Sequence, residues 1–251
     1  GASGTLAAPV EAVIDLPGEG RAAAYLLEHD DSRPPVAAVV LFTGGNGAIG
    51  LRDKGVPRPG ANFLIRTRAE LRQRFGGGLV TAVFDPPAPL PDNLRLGERH
   101  AADVAALVAD LRQRFGSTLR VHLAGTSRGT VSAAAAGAAL GGRIDGVILT
   151  STVFNATRGG VGLAGFDYGR IRAPLLFVHH VEDLCEATPF SGTARVEGRW
   201  PLVRARGGSA PRSGPCEPWA PHGYFGVEGP VLAAMVDWMQ GRTPPATVSP
   251  P

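Results

Sequence analysis

The run VAAVVLF, Val36 to Phe42, is apolar at every position and partly β-branched, and it lies between Pro34-Pro35 and Thr43-Gly44-Gly45. A strand with one wet face alternates polar and apolar residues. A run without alternation, closed by turn residues, suits a strand covered on both faces, as in a parallel sheet. Comparable runs recur at Leu79 to Phe84, Arg120 to Ala124, Gly146 to Thr150 and Leu175 to His179, with a weaker one at Pro201 to Ala205. Between them the period changes. Phe63 to Phe75 reads as a helix with Leu64, Ile65, Leu71 and Phe75 near one face and Asn62 as its N-cap. Glu98 to Phe115 carries Val104, Leu107, Val108 and Leu111 at helical spacing. Thr130 to Leu140 is a small-residue helix, and Val231 to Gln240 is a closing one stopped by Gly241.

Alternating strands and helices predict one α/β domain with a mostly parallel central sheet and helices on both faces. Right-handed crossovers then place the functional loops at the carboxyl ends of the strands. The chain before Val36 reads differently: Ala12 to Leu16, a Pro-Gly-Glu-Gly turn, and Arg21 to Leu27 predict an N-terminal hairpin. The domain is expected to span residues 1–241, with residues 242–251, RTPPATVSPP, as a flexible tail. No apolar segment reaches the roughly 18 residues of a membrane span. Lys54 is the sole lysine, arginines are scattered, and the net charge is +3. That describes a mildly cationic surface and not a nucleic-acid stripe. The N-terminal GASGTLAAPVEAV reads as a mature start left after removal of any leader, or as a cloning remnant.

Arg120 to Ala124 runs directly into Gly125-Thr126-Ser127-Arg128-Gly129, a G-x-S-x-G string between a strand and a helix. A serine on so sharp a turn projects its hydroxyl above the sheet. Small flanking residues let strand and helix approach each other, and the helix N-terminus brings backbone N–H groups close to the serine.

Here the chain resembles the α/β-hydrolase superfamily, on GTSRG and on the order of elements from Val36 to Gln240. The resemblance implies a single domain of that fold without a large lid, because only 20 residues separate Thr150 from Ile171. It also implies a Ser-acid-His triad in chain order. Ser127 is the nucleophile. Asp183 follows the strand Leu175 to His179 and takes the acid position, and the neighbouring Glu182 points elsewhere in a regular turn. His222, in Ala-Pro-His-Gly just before the last helix, is the base. His29, His100 and His122 do not fit the order, and His179 and His180 stand too close to Asp183 to be its partner.

The stretch TGGNGAIG contains Gly45-Asn46-Gly47-Ala48-Ile49-Gly50, a match to GxGxxG. A dinucleotide site needs a helix that starts at the glycines and an acid about 20 residues on. Pro57-Arg-Pro59-Gly60 precedes the helix near Phe63, and Asp85 stands 35 residues past Gly50. No cofactor or metal is therefore expected. By resemblance, this loop supplies part of an oxyanion hole, with Gly45 as first choice of donor, Asn46 next, and the Arg128 N–H completing the pair.

On count alone, Cys185 and Cys216 suit either one bridge or two buried thiols. Cys185 lies just past Asp183 and Cys216 just before His222, so a disulfide would tie the acid loop to the histidine loop. Such a bridge implies a periplasmic or secreted protein. The expected activity is serine-dependent cleavage of a small-molecule or polymeric carboxylic ester. The rivals are a peptidase or amidase, and a catalytically silent binding protein on the same fold. Arg128 is a candidate contact for anionic substrates, and Trp219 and Tyr224 are candidate pocket walls.

Overall fold

The computed structural model describes residues 9–18, 20, 22–30, 32–58 and 60–251. Among these residues nine strands form one sheet: β1 (Pro9–Asp15), β2 (Ala24–Asp30), β3 (Ala37–Phe42), β4 (Leu79–Asp85), β5 (Arg120–Thr126), β6 (Gly146–Thr150), β7 (Leu175–His180), β8 (Leu202–Ala205) and β9 (Thr247–Val248). Their spatial order is β1-β2-β4-β3-β5-β6-β7-β8-β9. β1 to β2 and β2 to β4 are antiparallel, and every other pair is parallel.

Among the described residues seven α-helices connect the strands: α1 (Leu51–Lys54), α2 (Phe63–Arg66), α3 (Arg68–Phe75), α4 (Asp92–Arg95), α5 (Glu98–Phe115), α6 (Gly129–Leu140) and α7 (Glu228–Met239). Strand residues alternate between two apolar layers. Ala38, Val40, Phe42, Val121 and Leu123 join α5 and α6 on one face, whereas Val39, Leu41, Ala124 and Ile148 join α2, α3 and α7 on the other. Both faces are therefore dry, which is why the central runs lack polar alternation.

Three expectations need correction. The strands of the N-terminal hairpin are Pro9–Asp15 and Ala24–Asp30, with Asp15 opposite Ala24, so the loop is longer than the four-residue turn; Glu19 and Arg21 lie outside the described residues. The helix expected over Phe63 to Phe75 is two helices, because the Thr67 hydroxyl takes the Phe63 carbonyl at 2.6 Å and the backbone turns there. The C-terminal segment is not loose. β9 lies along β8, the N–H groups of Arg204 and Arg206 donate to Ala246 and Val248 at 2.9 Å, and Val248 is buried. Residues 151–170 form a loop closed by the short 3-10 turn Tyr168–Arg170, and the described residues form no lid domain.

Two core histidines have no role at the strand ends. His100 sits edge-on to Phe42 and Phe84, and His122 against Trp238. Burial lowers both from an ordinary value of 6.5 to about 4. Between these values the unfolded chain binds protons that the folded chain refuses. Each histidine therefore contributes stability that is complete above the unfolded value and lost as pH falls toward 4, up to about 3 kcal/mol apiece. The melting temperature should fall between about pH 7 and pH 5, and His100→Leu with His122→Leu should flatten that slope. An unchanged slope in the double variant would contradict this assignment.

Candidate active site

The turn after β5 is built by backbone contact. A Cβ placed on Gly125 would lie 2.1 Å from the Gly129 carbonyl oxygen, and one placed on Gly129 would lie 2.1 Å from the Phe42 carbonyl oxygen. Neither position admits a methyl group. The squeeze places Ser127 at φ 56°, in the left-handed region that costs a non-glycine residue energy. The turn is fastened on both sides: Ser127 N–H donates to Thr150 O at 3.1 Å, and the Thr130 hydroxyl to Ser127 O at 2.6 Å. Ser127 thus stands at the N-terminus of α6, where the Arg128 N–H makes no hydrogen bond within the chain among the described residues.

Asp183 and His222 meet beyond the ends of β6 and β7. His222 Nδ1 lies 3.0 Å from Asp183 Oδ2, and the Asp183 side chain is fully buried. Facing a carboxylate, Nδ1 carries the proton and Nε2 is left as the acceptor. Asp183 is further held by the Cys185 N–H at 3.0 Å and the Thr188 hydroxyl at 2.8 Å. Thr188 Oγ1 also lies 2.9 Å from His222 Nδ1, so it braces both members of the pair. Glu182 is exposed.

His179 lies 3.5 Å from Asp183 but donates its Nε2–H to the Thr188 carbonyl at 2.7 Å. Burial pushes its pKa down, so it stays neutral and does not compete for the carboxylate. On the far side of His222, the Ser151 hydroxyl donates to the His222 carbonyl at 2.7 Å. Tyr224 donates to Val178 O at 2.9 Å and accepts the Ser151 N–H at 2.9 Å. Tyr224 is fully buried and belongs to this brace, not to a pocket wall. Trp219 is partly exposed and stacks on the Arg66 guanidinium at 4.7 Å.

Ser127 and His222 line one cavity of about 420 Å³, together with Thr43, Gly44 and Gly45. Asn46 is not on its wall. Its side chain accepts the Ala48 N–H and its carbonyl the Leu90 N–H, and it faces solvent. Gly44 takes the place nearest the serine: a Cβ there would sit 3.3 Å from Ser127 Cβ. Gly45 follows at φ 60°, a conformation natural to glycine. The N–H groups of Gly44 and Gly45 donate to no other group of the described chain.

Two buried charges fix this loop. Arg95 donates to Thr43 O, Gly45 O and Leu90 O and to the Ser132 hydroxyl. Asp85 accepts the N–H groups of Ile49, Gly50 and Leu51 at 2.9, 3.2 and 2.9 Å. The one-turn α1 does begin just after Gly50, its N-cap, which the sequence reading missed, but the protein's own carboxylate occupies the amides of Ile49, Gly50 and Leu51 that a phosphate would need. The GxGxxG match is therefore an internal anion contact.

Arg128 points its side chain away from the cavity, onto Asp92 and the Thr157 hydroxyl. It fastens the 151–170 loop and is not free to meet an anionic substrate. Among the described residues no cluster of three or more His, Cys, Asp or Glu is placed to hold a metal ion. Thr188, Arg95, Asp85 and Gly44 escaped the sequence reading, since their partners lie at distant or unremarkable positions in the chain.

Cys185 and Cys216 form a disulfide with Cα atoms 4.7 Å apart, and Cys216 lies on the cavity wall. The bond joins the Asp183 loop to the segment leading to His222, as expected.

No family model matches the sequence, and no curated protein does. Solved structures do match in fold. Est1E from Butyrivibrio proteoclasticus superposes with a TM-score of 0.60 at 15% identity, covering 91% of this chain and 97% of that one. An esterase of Pyrobaculum calidifontis gives 0.57 at 14% identity, with 92% and 84% covered. A protein of Xanthomonas campestris described as an α/β serine hydrolase without lid gives 0.56 at 15%, with 79% and 85% covered. The chain has the α/β-hydrolase fold.

Closing a loop of 31 residues should stabilise the fold by about 3–4 kcal/mol in the chain-entropy model. Reduction, or Cys185→Ser with Cys216→Ser, should lower the melting temperature by roughly 10 °C in a chain of this size. An unchanged melting curve would show that the bridge constrains nothing.

Proposed function

We propose that the protein is a serine hydrolase that cleaves carboxylic esters through an acyl-enzyme. The observation that carries this reading is the placement of His222, whose Nδ1 is bound by buried Asp183 while the ring shares a cavity wall with Ser127 on its strained turn. In this reading His222 Nε2 takes the Ser127 hydroxyl proton as Oγ bonds to the acyl carbon. The carbonyl π electrons pass to oxygen, which is met by the N–H of Arg128 and one N–H of the Gly44-Gly45 segment. The imidazolium, stabilised by Asp183, then protonates the departing alcohol. Water repeats the sequence in reverse to release the acid.

The cavity wall carries Ile49, Pro57, Phe63, Ile65 and Pro218, and among the described residues Glu217 lines it but no lysine or arginine does, which disfavours an anionic acyl group. It suits an uncharged acyl group of moderate size. The Pyrobaculum calidifontis protein of similar fold is an esterase, which supports ester over amide. The disulfide supports a periplasmic or extracellular setting.

The test is hydrolysis of a short-chain p-nitrophenyl ester beside the matching anilide. Ser127→Ala and His222→Ala should each lower kcat by about 10³ or more, Asp183→Asn should cost a similar factor, and the anilide should turn over far more slowly. Ester turnover that survives Ser127→Ala would overturn the reading, and faster anilide cleavage would move it to an amidase.

A further inference from the structure

Asn62 caps α2, with its Oδ1 accepting the Leu64 N–H at 3.1 Å. That bond settles which end of the amide faces the helix. The carbonyl end is committed to the cap, so the NH2 end points the other way. Nδ2 makes no hydrogen bond to the described residues, yet Asn62 lies on the wall of the cavity that holds Ser127 and His222. Gly44 shows how close these groups come. A Cβ built on it would stand 3.3 Å from Ser127 Cβ and 3.7 Å from Asn62 Nδ2. The serine and the amide therefore approach the same face of one glycine, and the missing side chain leaves the space between them open.

We propose that Asn62 is a catalytic residue whose Nδ2–H donates a hydrogen bond to the acyl oxygen as negative charge develops on it, beside the two backbone donors. This rests on the acyl-transfer reading above. A neutral side-chain amide, oriented in advance by a helix cap, stabilises such charge without having to reorganise. Capping alone does not call for asparagine, because aspartate and serine accept the same N–H equally well.

That equivalence supplies the test. Asn62→Asp and Asn62→Ser keep the cap and remove the amide donor, and Asn62→Ala removes both. Turnover of a p-nitrophenyl ester, melting temperature and affinity for an aryl trifluoromethyl ketone, which forms a tetrahedral adduct, are measured for each. Asn62→Ser should melt like the wild type, keep its KM, and lose kcat and ketone affinity together by about tenfold or more. Asn62→Asp, which sets a carboxylate against the developing charge, should lose about 100-fold or more. Wild-type kcat in both capped variants would overturn the proposal, as would a loss confined to Asn62→Ala, or a rise in KM at constant kcat. If the wild type itself shows no Ser127-dependent ester turnover, the parent reading fails and this role falls with it. Turnover at the wild-type rate in Asn62→Ser and Asn62→Asp removes only the Asn62 role.

Discussion

The site begins at a contact between backbones. The start of α6 presses against the end of β3 so closely that the Gly129 Cα faces the Phe42 carbonyl with no space for a methyl, and Gly125 meets Gly129 in the same way. This approach has two consequences. It forces the chain between the glycines through a left-handed serine, which lifts Ser127 above the sheet. It also brings the loop after β3 beside that serine, since β3 and β5 are neighbours in the sheet. A bulkier residue at either glycine would separate the helix from the sheet and scatter both features.

The remaining parts are held by charges and hydroxyls spent on the backbone. Asp85 gathers three amides, Arg95 gathers three carbonyls, and Asp183 takes one amide, one hydroxyl and the His222 ring. Buried charges are costly unless fully paired, and here the pairing is what fixes loops that have no regular secondary structure. The disulfide and Tyr224 tie the same loops from behind. At the carboxyl ends of interior strands, where these loops lie, this is a physical way to keep them from drifting.

Much of the fold was legible because burial on both faces leaves an unmistakable apolar run, and α5 was read with its true bounds because Val104, Leu107, Val108 and Leu111 mark one buried face at helical spacing. The G-x-S-x-G string was legible for a similar reason, since sterics demand glycine at two fixed offsets from Ser127. Asp183 and His222 came from chain order, and the structure places them 3.0 Å apart. What stayed hidden depends on partners distant in sequence. Thr188 gains meaning only from His222, Arg95 only from Thr43 and Gly45, and Asp85 only from the loop more than 30 residues earlier. Gly45, the first choice of donor, lies on the cavity wall beside Gly44, whereas Asn46 turns to solvent, and letters do not tell which way a loop turns. β9 was missed because two residues are too few to show a period.

The central claim is that Ser127 is an activated nucleophile, and covalent labelling tests it most directly. Intact mass is measured after exposure to a fluorophosphonate, for the wild type and for Ser127→Ala. The account predicts a single adduct on the wild type and none on the variant. A folded wild type that gains no adduct, or a variant that gains the same one, would contradict it.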